Sequence, residues 1–209
     1  MGNRWIFATA TLRCCAHCTS IPTRKQLSPR TVMLCNQLHT AFRRIRIGGA
    51  TPTELARRLA VAKVRFNAAA DQLFADDRFK TLHRPTVVEC VEVSVQDLGL
   101  LEGGTFAKVI KAAGTLGLAV CPLELAPYLR LALRSQEEGA SGHAPTQHRA
   151  PRGSITVVSA PLSDDEDTPK GFYLRRIEGE LWLRGYKSGP GHVWAPEDVL
   201  VFAIARIAA

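Results

Sequence analysis

Apolar and polar positions along this chain alternate with a period that changes several times, and each change marks an element. Leu55, Leu59 and Ala62 recur at helical spacing while Arg57, Arg58 and Lys63 fall on the other side, which predicts an amphipathic helix. Thr51-Pro52-Thr53-Glu54 in front of it forms a capping box with proline at the first helical position. After a short break at "VRF", Asn67 caps a second helix that runs to about Asp77 and buries Ala70, Leu73 and Phe74. "TVVECVEVSV" (86–95) has the β-branched density of a largely buried strand. Phe106, Val109, Ile110 and Ala113 then share one face of a helix capped by Thr105 and ending near Gly117.

"CPLELAPYLRLAL" (121–133) is predicted as a short turn or helix over 122–128 followed by a strand. Residues 137–153 have the Gly, Pro and small-residue content of a flexible loop, and a strand is expected at 154–160. The strongest pattern is "GFYLRRIEGELWLRGY" (171–186). Glu178-Gly179 fits a two-residue hairpin turn, and that register sets Ile177 opposite Glu180, Arg175 opposite Trp182, and Tyr173 opposite Arg184. Facing residues share a side of the sheet. One side therefore collects Phe172, Leu174, Leu181 and Leu183 for a core, and the other collects Tyr173, Arg175, Trp182, Arg184 and Tyr186.

Aromatic rings interleaved with arginines can stack on planar groups and hold anions. His192 and Trp194, in "GPGHVWAPED", are placed to close one side of that surface. The seven residues Tyr173, Arg175, Trp182, Arg184, Tyr186, His192 and Trp194 are the candidate site for a small anionic or planar ligand or a protein partner. A purely structural reading competes with it. Arg175 over Trp182 makes a self-sufficient cation–π pair worth ~0.5–1 kcal/mol, and Trp182 with Trp194 would form a second small core.

Charge changes the picture only once its distribution is seen. The chain of 209 residues carries a net +8, but no Asp or Glu precedes Glu54, and eight cations do. The remainder balances, so the basic character gives the globular part no call for nucleic acid; such a partner is possible but not favoured. The second predicted helix, "AAADQLFADD", also lacks a cation, which favours a packing hairpin over a DNA-reading helix pair. No apolar run approaches the length of a membrane span, and no membrane partner is expected.

Four of the six cysteines share the basic N-terminal segment. Cys15, Cys18, Cys35 and His39 have zinc-ligand types and a knuckle-like first pair. Three readings of residues 1–40 compete: a zinc site, an organelle-targeting segment, and an extension that is disordered or not translated, with Met33 as the start. The last is preferred, because cysteine- and arginine-rich text gives way abruptly to well-patterned helix text. Cys90 and Cys121 lie in apolar contexts, the usage of buried thiols in a reduced, cytoplasmic protein.

Other chemistry is sparse. "GGTFAK" lacks Walker spacing, and "SDDED" (163–167) lacks the ligand alternation and distal glutamate of a calcium loop, so both are read as turns. Glu124 and Arg130 are read as an ion pair or exposed charges rather than an acid and its partner. No cofactor is predicted.

"LGLAVCPLELAPYLRLAL" and "GFYLRRIEGELWLRGYKSGPGHVWAPEDVLVF" together resemble an uncharacterised family of small bacterial cytosolic proteins that place an "LCP-E-P-LRL" block before an "LWL…W-P" ending. The resemblance spans roughly residues 85–203, is weaker over the helical pair, and begins near "AFRRIRIGGATP". It implies a bacterial cytosolic source and one compact domain, and it transfers no catalytic residue.

The expectation is a single α+β domain over 41–209, with a mainly antiparallel sheet packed on one side by the N-terminal helices, after an extension over 1–40. The function expected is a non-enzymatic ligand- or partner-binding module on the hairpin face. A small enzyme with a pocket between 121–130 and 171–194 is the alternative, and a zinc-dependent nucleic-acid-binding protein the second alternative.

Overall fold

The structure is a computed structural model describing residues 41–139 and 150–205. In chain order its elements are β1 (Phe42–Ile47), α1 (Pro52–Val61), β2 (Val64–Phe66), α2 (Ala68–Ala75), β3 (Thr86–Ser94), β4 (Gly104–Thr105), α3 (Phe106–Thr115), β5 (Leu118–Ala119), α4 (Leu125–Ala132), β6 (Ile155–Val157), β7 (Gly171–Ile177), β8 (Glu180–Tyr186), β9 (Val193–Trp194) and β10 (Val199–Ile204). Eight strands form a curled, mostly antiparallel sheet in the order β1-β3-β10-β6-β7-β8-β2, with β5 beside β10. The parallel pairs are β10–β6 and β2–β8. The fold is a single α+β domain, as its patterning predicts.

The two faces of the sheet support separate cores. Ile45, Ile47, Val157, Leu174, Leu183 and Val201 pack with Leu59, Leu73, Leu125 and Leu129 from α1, α2 and α4. Their neighbours Val91, Val93, Leu200 and Phe202 point the other way, onto Val109 and Ala113 of α3. Helices therefore cover both faces rather than one. The central strands β3 and β10 are apolar at successive positions, and such strands need cover on both sides.

Local signals hold where they are strong. The Thr51 hydroxyl accepts the Glu54 N–H at 3.2 Å, and the Asn67 side chain accepts that of Ala70 at 3.1 Å. Three local predictions fail, the first being the Thr105 cap, whose side chain makes no capping bond to α3. The break at "VRF" is β2, which adds in parallel to the hairpin with Arg65 opposite Trp182. The strand expected near 129–133 is the second half of α4, whose residues Leu125, Ala126, Pro127, Leu129 and Arg130 are all buried. A helix enclosed this fully has little polar face to reveal its period.

The cysteines and histidine of the zinc reading, Cys15, Cys18, Cys35 and His39, lie outside the described residues, as does most of the 137–153 loop. Among the described residues no helix is long and apolar enough to cross a membrane.

Candidate functional site

The hairpin β7–β8 has the register that its sequence dictates, with Arg175 opposite Trp182 and Tyr173 opposite Arg184. Its turn residues Glu178 and Gly179 have φ of 52° and 77°, the left-handed pair that a two-residue turn requires. Phe172, Leu174 and Leu183 enter the core, so Tyr173, Arg175, Trp182, Arg184 and Tyr186 stand together on the opposite side, all half-buried. Strand β6 extends that row, because Thr156 pairs with Tyr173.

The candidate residues divide into two groups along the face. Tyr173, Tyr186, His192 and Trp194 line one cavity of about 500 Å³, together with Thr156, Glu166, Asp167 and Lys187. The Tyr186 and Trp194 rings meet edge to face at 5.9 Å and 88°, and His192 stands at 4.9 Å and 80° to Trp194. Trp194 is buried in the second core and held by β9, which pairs with β4. A side chain at Gly103 would strike the Trp194 carbonyl at 2.3 Å, so this anchor depends on that glycine.

Arg175, Trp182 and Arg184 lie beyond the cavity on the adjoining surface. The guanidinium set over Trp182 is that of Arg184, at 5.3 Å, and it also lies 5.9 Å from the Tyr173 ring. Arg175 stands directly opposite Trp182 in the register, as the sequence predicts. The indole N–H of Trp182 and the Nε–H of Arg184 are shielded from water and have no acceptor among the described residues. Burial raises the Tyr173 phenol above its ordinary value, opposed by the nearby charges of Arg184 and Arg175. Burial alone pushes the Tyr186 phenol up further.

Thr156, Glu166, Asp167 and Lys187 are cavity residues that the sequence reading missed. Glu166 and Asp167 belong to the acidic turn, which is exposed and internally tied. The Lys170 ammonium sits on the Ser163 and Asp165 carbonyls at 3.0 and 2.6 Å, where a bound cation would find its oxygen ligands. Lys187 reaches Asp167 at 3.8 Å across the mouth of the cavity. Among the described residues no three His, Cys, Asp or Glu side chains are grouped to hold a metal.

The 121–130 segment lies on the other face, inside the first core. Its two charges do not pair. Six positions separate them, about 120° apart around a helix. Glu124 accepts the Leu82 N–H at 2.9 Å and has a second buried oxygen with no partner; Arg130 donates to Gln136 Oε1 at 2.5 Å. Burial lowers the Arg130 pKa to about 10.

Comparison with protein-family models, with curated proteins and with solved structures finds no match.

Proposed function

We propose that this chain is a non-enzymatic binding module whose hairpin face holds a small ligand or a partner's side chain. The observation that supports it is the open cavity of about 500 Å³ lined by Tyr173, Tyr186, His192 and Trp194, a size ordinary for small-molecule sites. Arg184 and Trp182 continue the face, each with a buried donor awaiting an acceptor. Catalysis is the weaker reading. The Asp167–Lys187 pair at the cavity mouth is 3.8 Å apart, beyond hydrogen-bond reach, and both side chains are open to water.

The test is a fragment screen on the isotope-labelled full chain, read by NMR. Resonances of Tyr173, Trp182, Tyr186 and Trp194 should shift together, and Arg175→Ala with Trp182→Ala should weaken binding without loss of fold. A screen that moves none of these resonances makes the face structural and ends the reading.

A further inference from the structure

The two ends of the hairpin face carry opposite charge, and that fixes what the cavity can take. Around Trp182 the cations Arg65, Arg175 and Arg184 outnumber the one acid, Glu180, which pairs with Arg65 at 3.3 Å. Around the cavity the balance reverses. Residues 163–167 bring Asp164, Asp165, Glu166 and Asp167, and Glu166 and Asp167 line the cavity with Lys187 as the one basic side chain. Lys170 is drawn onto backbone carbonyls of the turn.

The walls inside are aromatic and set at right angles. Tyr186 meets Trp194 at 88° and His192 meets it at 80°, with Tyr173 as a further wall. The rings pack edge to face on one another along the wall, and aromatic faces attract a cation. On the adjoining row the protein supplies such a cation itself: Arg184 lies over Trp182 and against the Tyr173 wall. Among the described residues no guanidinium or ammonium lies over Tyr186 or Trp194.

From this we infer that the cavity is an aromatic cage for an organic ammonium group, with Tyr173, Tyr186 and Trp194 as walls and Glu166 and Asp167 as the carboxylates at its mouth. The inference rests on the binding reading of the hairpin face and narrows it. An alkylated ammonium suits the site because its charge is spread over methyl groups and is weakly hydrated, so aromatic walls can replace its water. A compact, strongly hydrated primary ammonium is disfavoured. The same chemistry is offered by a free molecule such as choline and by a methylated lysine side chain of a protein partner.

The experiment titrates the full chain with tetramethylammonium, choline and the neutral choline isostere 3,3-dimethylbutan-1-ol, following the Trp194 indole N–H and the Tyr186 ring by NMR. The cations should bind about tenfold or more tightly than the alcohol, and Tyr173→Leu or the pair Glu166→Gln and Asp167→Asn should each weaken them several-fold. Those side chains are half-buried or exposed, so the folded state, checked by circular dichroism, survives in all variants. A trimethyllysine peptide that outcompetes choline identifies a protein partner as the source, and the reverse identifies a free molecule; both support the cage. Equal binding of the alcohol and the cations overturns it, as does insensitivity to the carboxylate pair. If neutral or anionic fragments shift the face while no ammonium does, the cage falls and the binding reading stands.

Discussion

At the scale of single residues, the charges this protein buries are as informative as those it displays. Glu124 is 2 % exposed, and among the described residues no cation forms an ion pair with it. Burial raises its pKa, against the opposing N–H groups of Leu82 and Gly48. A carboxyl raised in the folded state above its unfolded value of 4.5 contributes most below that value and becomes a cost as pH rises through the folded pKa. Glu124→Gln keeps the acceptor for Leu82 and removes the charge. Its Tm should match the parent at pH 4 and exceed it by roughly 2–4 °C at pH 8, the effect of about 1 kcal/mol on a domain of this size. A variant that melts lower than the parent at pH 8 would show that the carboxylate is held by something stronger than two N–H groups. Neither Glu124 nor Arg130 was legible as buried from the sequence, because a lone charge in an apolar run looks like a surface residue.

At the scale of elements, the junction of α2 with the hairpin shapes one side of the cavity. Gly185 lines the cavity and sits against the start of α2, where a side chain would meet the Ala69 backbone at 2.5 Å. Asn67 joins the two. Its carbonyl oxygen accepts the N–H groups of Gly185 at 2.8 Å and Ala70 at 3.1 Å, and its amide donates to the Gly185 carbonyl at 3.0 Å. One side chain is therefore both the cap of α2 and a substitute strand partner for β8. Asn67→Ala removes all three bonds and is expected to cost about 2–4 kcal/mol in urea unfolding. Asn67→Asp keeps the acceptor and loses the donor, and should recover roughly half of that loss. If Ala and Asp cost the same, the Gly185 contacts contribute little and the cap alone is at stake. The cap was readable from sequence; its second partner, 118 residues away, was not.

At the scale of the whole molecule, two cores on opposite faces of one sheet tie the thiols to global stability. Cys90 and Cys121 are both buried. Burial, helped by Glu92, pushes the Cys90 thiol up to about 12, and burial pushes Cys121 up as well. Neither thiol should act as a nucleophile in the folded protein. Iodoacetamide labelling read by peptide mass spectrometry should modify these two positions slower in the native than in the unfolded chain, by a factor on the order of 10³ or more. Comparable rates in the two states would mean that the sheet opens locally around β3 or β5.

The sequence by itself determined the elements whose information is local. Capping at Thr51 and Asn67 and the two-residue turn at Glu178-Gly179 depend on neighbours within a few positions, and the turn alone settles which hairpin residues share a face. What only the tertiary structure decided is every relation across a long stretch of chain. It set β2 beside β8, put α3 on the second face, made α4 a helix to its end, and brought the acidic turn to the mouth of an aromatic cavity. The physical reason is that local backbone preference is worth at most about 1 kcal/mol per residue, whereas the burial of whole apolar faces settles which elements meet. The face was written in the sequence; its division into an aromatic cavity beside an acidic turn and an arginine row belongs to the fold.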